Sequence, residues 1–202
     1  MNKKTVALTK DQYLDIMDCM ETGGYGFRPN KTIAMALKLE ANLGLRLSDI
    51  VPYTDKQGSV HPGLRLSDII HEGGRYHLSI KEVKTGKPRT FTVPQELYTY
   101  IQTYCIDNNI KKDEPICPVS ERRVQKYLEA VCKYLDTPEE PFTDISTHSF
   151  RKFYATSIYQ DSGYDIALVQ QLLQHSSPAT TQRYIGIEPK RIEEAIQNHL
   201  CL

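Results

Sequence analysis

Four side chains near the C-terminal end of this sequence have the chemistry to handle a phosphodiester: His148, Arg151, His175 and Tyr184. The first two stand in Thr147-His148-Ser149-Phe150-Arg151, and Tyr184 follows His175 by nine residues. A phosphodiester under attack needs cationic and hydrogen-bonding groups on its oxygens, and a nucleophile that can be freed of its proton. An H-x-x-R pair on one helix face, a histidine at the end of the next helix and a tyrosine just beyond could supply both. Each also has a plain structural alternative. H-x-x-R is often surface, a helix-terminal histidine is favoured by the macrodipole, and Tyr184 is one of 13 tyrosines.

The elements that must position these groups can be read from caps and periodicity. Thr9-Lys10-Asp11-Gln12 is a capping box that opens a helix through about Met20. Gly23-Gly24 and Pro29 break it, and Asn30 caps a second helix carrying Ile33, Ala36, Leu37, Leu39, Ala41 and Leu43. Gly44 ends that helix, leaving Leu45–Ile50 as a short turn or helix. Residues 75–80 and 90–93 alternate polar and apolar around Lys84-Thr85-Gly86-Lys87, which predicts an antiparallel hairpin with Lys84 at or near its tip. Pro94 starts a helix to about Asp107, and Ser120 caps another through Leu135. A loop over 136–144 leads into the helix of His148. Ile166, Val169, Leu172 and Leu173 mark the next one, and Ser177-Pro178 begins a short one ending near Tyr184. Glu188-Pro189 opens a last amphipathic helix to Leu200, with Ile192, Ala195, Ile196 and Leu200 on one face.

Composition bounds the answer. A chain of 202 residues with 40% hydrophobic content can bury one good core. No apolar run approaches the ~20 residues of a membrane helix, and Met1–Thr5 lacks a signal-peptide core, so we expect a cytoplasmic protein away from membranes. The 5 cysteines (Cys19, Cys105, Cys117, Cys132, Cys201) are scattered and never C-x-x-C, which suits reduced thiols. His71 and His77 lack companions for a metal site. There is no P-loop and no G-x-S-x-G.

Net charge is zero, from 25 basic and 25 acidic residues, which on its own argues mildly against nucleic acid. Local clusters argue the other way: residues 75–90 set five basic side chains against the single acid Glu82, and 121–133 carry Arg122, Arg123, Lys126 and Lys133. The heptapeptide G-L-R-L-S-D-I occurs at 44–50 and 63–69. Two copies make no solenoid, and their neighbours differ, so the repeat reads as a coincidence of local sequence. It leaves two candidates for one important arginine, Arg46 and Arg65.

Taken together, these motifs resemble the catalytic domain of the tyrosine recombinases, or phage integrases, from about Leu8 to Leu200. Asn42–Ile50 is similar to the family's first-arginine motif, T-G-L-R-x-S-E-L after an apolar helix. Lys84-Thr85-Gly86-Lys87-Pro88-Arg89 matches its hairpin motif. His148–Thr156 matches H-x-L-R-H-x-x-A-T, with Phe150 for Leu and Lys152 for His. Leu173–Tyr184 matches L-G-H-x-S-x-x-T-T-x-x-Y, with Gln174 for Gly.

The resemblance implies an α+β, mostly helical fold with a small antiparallel three-stranded sheet. It also makes Arg46 the catalytic arginine and places Arg65 at the start of a strand, with 52–62 as an insertion. In that frame the implied catalytic set is Arg46, Lys84, His148, Arg151, His175 and Tyr184, with Asp49 orienting Arg46. Tyr184 would attack phosphorus, Arg46 and Arg151 would hold the non-bridging oxygens, and His175 would donate a further hydrogen bond. His148 would serve as acid/base, and Lys84 would protonate the departing 5′ oxygen.

No metal, ATP or other cofactor is required. The expected partner is a double-stranded DNA recombination site, approached through Lys81, Lys87, Arg89, Arg122, Arg123 and Lys126, with a helix at 120–135 facing the major groove. A homo-oligomer, a tetramer on DNA, is expected, with a monomer open in isolation. Residues 1–202 read as a single catalytic domain with no N-terminal core-binding domain, either an excised fragment or a compact recombinase, whose DNA binding alone would be weak. Residues 186–202 either pack on their own core or dock on a neighbouring protomer. Two rival activities stay open: type IB topoisomerase-like nicking and closing, and a non-catalytic DNA-binding accessory protein.

Overall fold

Residues 5–24, 26–55 and 57–185 are described in the computed structural model, so the expected helix at 189–200, its docking role and Cys201 fall outside the described residues. Caps start the N-terminal helices as expected. The Thr9 side chain accepts from the Gln12 amide while the Gln12 side chain accepts from the Thr9 amide, and this box opens α1 (Lys10–Thr22). Such a cap is worth about 1 kcal/mol. Asn30 accepts from the Ile33 amide and opens α2 (Lys31–Leu43), which is buried along most of its length. α2 ends on Gly44 in the left-handed conformation, at φ 57°. A Cβ there would also meet the Tyr154 ring at 2.4 Å, so glycine is required twice over.

One turn, α3 (Leu47–Ile50), follows. The 52–62 insertion holds a two-stranded ribbon, β1 (Tyr53–Thr54) and β2 (Val60–His61). A 3-10 turn at Leu66–Asp68 then feeds the antiparallel sheet β3 (Ile69–Glu72), β4 (Arg75–Lys81) and β5 (Pro88–Val93), in that spatial order. Leu78 of β4 faces Ile69 on one side and Phe91 on the other, which fixes the register by the apolar face. The remaining helices are α4 (Gln95–Asp107), α5 (Glu121–Leu135), α6 (Thr147–Asp161), α7 (Ile166–Leu173) and α8 (Pro178–Ile185).

The heptapeptide repeat turns out to be repeated structure on a local scale. In each copy the Asp side chain accepts from the Arg amide three residues earlier, Asp49 from Arg46 at 3.3 Å and Asp68 from Arg65 at 2.8 Å. Reading it as coincidence is therefore corrected: R-L-S-D carries its own reciprocal turn, because a short acid at the third turn residue satisfies an orphan N–H. The copies differ in where the guanidinium goes. Arg65 closes on its own Asp68 at 2.9 Å just before β3, whereas Arg46 reaches out to another element.

Two apolar clusters hold the molecule. The larger joins α1, α2, α4, α5 and the start of α6 through residues such as Met20, Leu37, Ile101, Leu128 and Phe150. The smaller is built from Ala155, Val169, Leu173 and Ile185, with Tyr184 packed at its edge. At about 1.5–3 kcal/mol for each fully buried aliphatic side chain, so few residues anchor α8 less firmly than the main core anchors α2. Cys19, Cys105, Cys117 and Cys132 are buried free thiols. Among the described residues no helix is long and apolar enough to cross a membrane. The mostly helical α+β architecture and the three-stranded sheet agree with the sequence reading.

Candidate active site

Helices α6, α7 and α8 meet at the Tyr184 ring. His148 and Arg151 lie one turn apart on α6, and Arg151 is only 1% exposed. The His148 ring stands edge-on to the Tyr184 ring, with centroids 5.3 Å apart at 86°. His175, just beyond α7, meets the same ring at 5.1 Å and 75°. The Lys152 ammonium lies 5.7 Å from that ring's centroid and donates to the Thr5 carbonyl.

Two devices aim His175. Gln174 caps α7 in the left-handed conformation, φ 53°, at the position where the resemblance has glycine. A non-glycine residue there costs roughly 1–2 kcal/mol. The geometry survives because the Gln174 amide donates to Gln171 O at 3.1 Å, the His175 amide to Gln170 O at 3.0 Å, and the Gln174 side chain to Pro88 O at 3.3 Å. The second device is Thr181 on α8, fully buried, with Oγ1 3.0 Å from His175 Nδ1. With that hydroxyl donating to Nδ1, the ring proton sits on Nε2, which is then free to donate to an oxygen.

Arg46 and the hairpin complete the site. Arg46 Nη1 donates to Glu82 Oε2 at 2.7 Å. Asp49 grips both segments, accepting from the Arg46 amide with one oxygen and from the Val83 amide, at 2.8 Å, with the other. Lys84 follows directly in the exposed turn between β4 and β5. Arg89, on β5, is only 3% exposed. Its guanidinium donates to the carbonyls of Leu43 (3.3 Å), Gly44 (3.1 Å) and Leu172 (2.9 Å) and contacts Glu82 at 3.4 Å.

Burial, with this crowding of cations, sets the protonation states. Burial, then the charges of Arg151, Lys152, Arg46 and Lys84, push His148 down to about 4. Burial, then Arg151 and Arg46, push His175 down to about 4. Both imidazoles are therefore neutral near pH 7. Burial pushes the Tyr184 phenol up to about 12 against the opposing pull of Arg151. Burial also acts to raise Glu82, but the hydrogen bonds from Thr85 and Arg46 and the Arg46 charge win, and its carboxyl is held below the usual range.

Among the described residues, the buried side-chain polar atoms without a hydrogen-bond partner are Glu40 Oε2, Arg151 Nη1 and the Tyr184 hydroxyl. They share one neighbourhood, since the Arg151 charge pulls down both Glu40 and Tyr184. Burial dominates at Glu40, raising its carboxyl well above the ordinary value. With Nη1 unpaired, Arg151 has donor capacity left to give an arriving anion a charge-assisted hydrogen bond.

Arg46, Asp49, His148, Arg151, His175 and Tyr184 thus come together, and the charge of Lys84 reaches His148. The expected surface residues divide. Lys81, Lys87, Arg122, Arg123 and Lys126 are exposed. Arg89 is not, and its reading as a DNA contact is corrected: it stands on the core face of β5 with Phe91 and Val93, its donors turned to carbonyls. The period-2 alternation of 89, 91 and 93 carried that signal. Sequence reasoning also missed Glu40, Glu82 and Thr181. Glu40 lies seven residues after Ile33, on the buried stripe of α2, which was a legible sign. Thr181 stands at the second T of the T-T pair in L-G-H-x-S-x-x-T-T-x-x-Y, which was a sign, while Glu82 left none.

Comparison with known proteins places the chain in a family. The probable integrase/recombinase YoeC of Bacillus subtilis is 29% identical over 176 residues, covering 83% of this chain and 84% of that protein. Tyrosine recombinase XerA of Pyrococcus furiosus is 30% identical over 158 residues, covering 76% of this chain but 50% of that protein, so the chain spans about half the length of this relative. The crystal structure of XerH site-specific recombinase bound to palindromic difH substrate, a post-cleavage complex, superposes with a TM-score of 0.63 at 18% identity, covering 98% of this chain and 54% of that one. At that identity the likeness is one of fold. Residues 7–191 match the phage integrase family, and the chain belongs to that family of tyrosine recombinases.

Proposed function

We propose that this chain is a site-specific DNA recombinase that cuts and rejoins strands through Tyr184, acting in the cytoplasm as one catalytic domain. The observation that carries this reading is the Tyr184 ring held edge-on by two neutral imidazoles, beside a buried arginine with an unpaired donor. The Tyr184 oxygen attacks phosphorus as the P–O5′ bond breaks, forming a 3′-phosphotyrosyl ester and a 5′-hydroxyl. Neutral His148 accepts the phenolic proton, and Lys84 delivers one to the departing oxygen. Arg46 and Arg151 stabilise charge on the non-bridging oxygens, and His175 Nε2 adds a donor. The ester keeps the bond energy, so a second strand's 5′-hydroxyl can reverse the step without ATP.

Each protomer supplies one nucleophile, and exchange between two duplexes breaks four strands. The active assembly is therefore a homotetramer on two double-stranded sites. Lys81, Lys87, Arg122, Arg123 and Lys126 meet the DNA phosphates. Incubating the protein with two labelled duplexes carrying its site tests this: recombinant product is expected. Relaxation of supercoils without exchange would point to topoisomerase activity, and binding without cleavage to an accessory role.

A further inference from the structure

Glu82 lies at the base of the β4–β5 hairpin, two residues before Lys84, with 2% exposure despite its exposed surroundings. Its carboxylate has three partners from two directions. Oε2 accepts from Arg46 Nη1 at 2.7 Å and from Thr85 Oγ1 at 2.8 Å, while Oε1 faces Arg89 Nη1 at 3.4 Å. The next residue, Val83, donates its amide to Asp49 at 2.8 Å. Consecutive hairpin residues thus grip the two polar ends of the Arg46–Asp49 turn. Beyond this double attachment the hairpin is an exposed turn: Lys84, Thr85, Gly86 and Lys87 are all open to solvent.

A side chain as long as Lys84 on an exposed turn has no packing of its own to place its ammonium. The backbone bonds Glu82 N–H to Lys87 O (2.9 Å) and Gly86 N–H to Glu82 O (2.8 Å) close the turn, and the attachment immediately before Lys84 fixes that turn to the rest of the site. The same carboxylate fixes Arg46, which keeps 20% of its side chain exposed and has further N–H donors available. Burying a carboxylate between two arginines is costly unless it is paired, so its presence marks a fixed geometry.

Resting on the recombinase reading above, we propose that Glu82 is a positioning residue that sets the hairpin lysine and the phosphate-binding arginine as one unit. The carboxylate fastens the base of the hairpin to the Arg46 turn, so Lys84 approaches the departing oxygen in register with the phosphate that Arg46 holds.

The test compares wild type, Glu82→Gln and Lys84→Ala on a nicked suicide duplex, in two versions: the natural 5′-oxygen ester and a 5′-bridging sulfur ester. A thiolate leaves without needing a proton. On the oxygen ester, Glu82→Gln should form covalent adduct about 100-fold more slowly, with DNA affinity little changed. On the sulfur ester its deficit should shrink about tenfold or more, as that of Lys84→Ala does. Thr85→Val, an exposed change that removes one partner of Glu82, should shift both readouts the same way by a smaller factor.

An equal deficit on both esters, or full activity of Glu82→Gln, overturns the proposal. Amide hydrogen exchange of the free protein supplies an arm that needs no chemistry. Residues 83–87 should exchange about tenfold faster in Glu82→Gln while α2 stays protected, and unchanged exchange there also overturns the proposal. A wild type that forms no adduct on either ester would defeat the recombinase reading alone, leaving the exchange arm to decide the role of Glu82.

Discussion

Thr181 Oγ1 lies 3.0 Å from Nδ1 of His175, so a fully buried hydroxyl on the helix that carries Tyr184 is paired with an imidazole on the neighbouring segment. The contact ties the position of α8 to the state of the site. Thr181→Val keeps the volume and removes the partner. The adduct-forming rate should fall about tenfold, with DNA affinity unchanged, as for a misaligned donor. A rate equal to wild type would mean that the ring is placed by packing alone.

Acidification should weaken the native state through the histidines. His148 is held at about 4, below its unfolded value of about 6.5, so between these pH values the unfolded chain binds more protons. That contribution is fully present above about pH 6.5 and is lost as pH falls toward 4. Glu40 works in the opposite sense, because its folded value is raised and protonation favours the native state. The difference between wild type and His148→Gln therefore isolates the histidine. Urea titrations at pH 7 and pH 5 should show wild type losing more stability than the variant over that interval, by less than about 1 kcal/mol because the solvent-exposed His148 ring is screened by water.

Arg89 and the arginines of α5 should separate cleanly. Arg89→Ala leaves Glu82 short of a partner and three carbonyls without their donor, and should cost about 3–5 kcal/mol of stability. Replacing exposed Arg122, Arg123 and Lys126 together by Ala should leave the unfolding midpoint unchanged. Instead it should lower DNA affinity and flatten its salt dependence, by up to about 0.9 in the log–log slope per lost phosphate contact.

Gln174 holds a left-handed φ of 53° that glycine adopts freely. Gln174→Gly should raise stability by up to about 1 kcal/mol in a urea titration. A loss of stability would show that the contact of Gln174 with Pro88 outweighs the backbone strain.

The helices were legible because their ends are written in short-range chemistry: Thr9, Asn30 and Ser120 cap where the sequence says they cap. The site's partners across elements were not. Glu82 meets Arg46 across 36 positions, and nothing local to Lys81-Glu82-Val83 distinguishes a solvated acid from a buried one. The burial of Arg89 was legible: its charge suggests DNA, but its parity with Phe91 and Val93 places it on the core face. The repeated R-L-S-D turn was likewise visible as sequence, and only its surroundings separate Arg46 from Arg65.

The central claim is that Tyr184 is the nucleophile, and peptide mapping of the covalent adduct tests it most directly. Protein incubated with a nicked suicide duplex, then digested with protease and nuclease, should yield one peptide carrying a 3′-nucleotide on Tyr184, and Tyr184→Phe should yield no adduct. Nucleotide attached to any other residue, or an adduct that persists in Tyr184→Phe, would contradict the account.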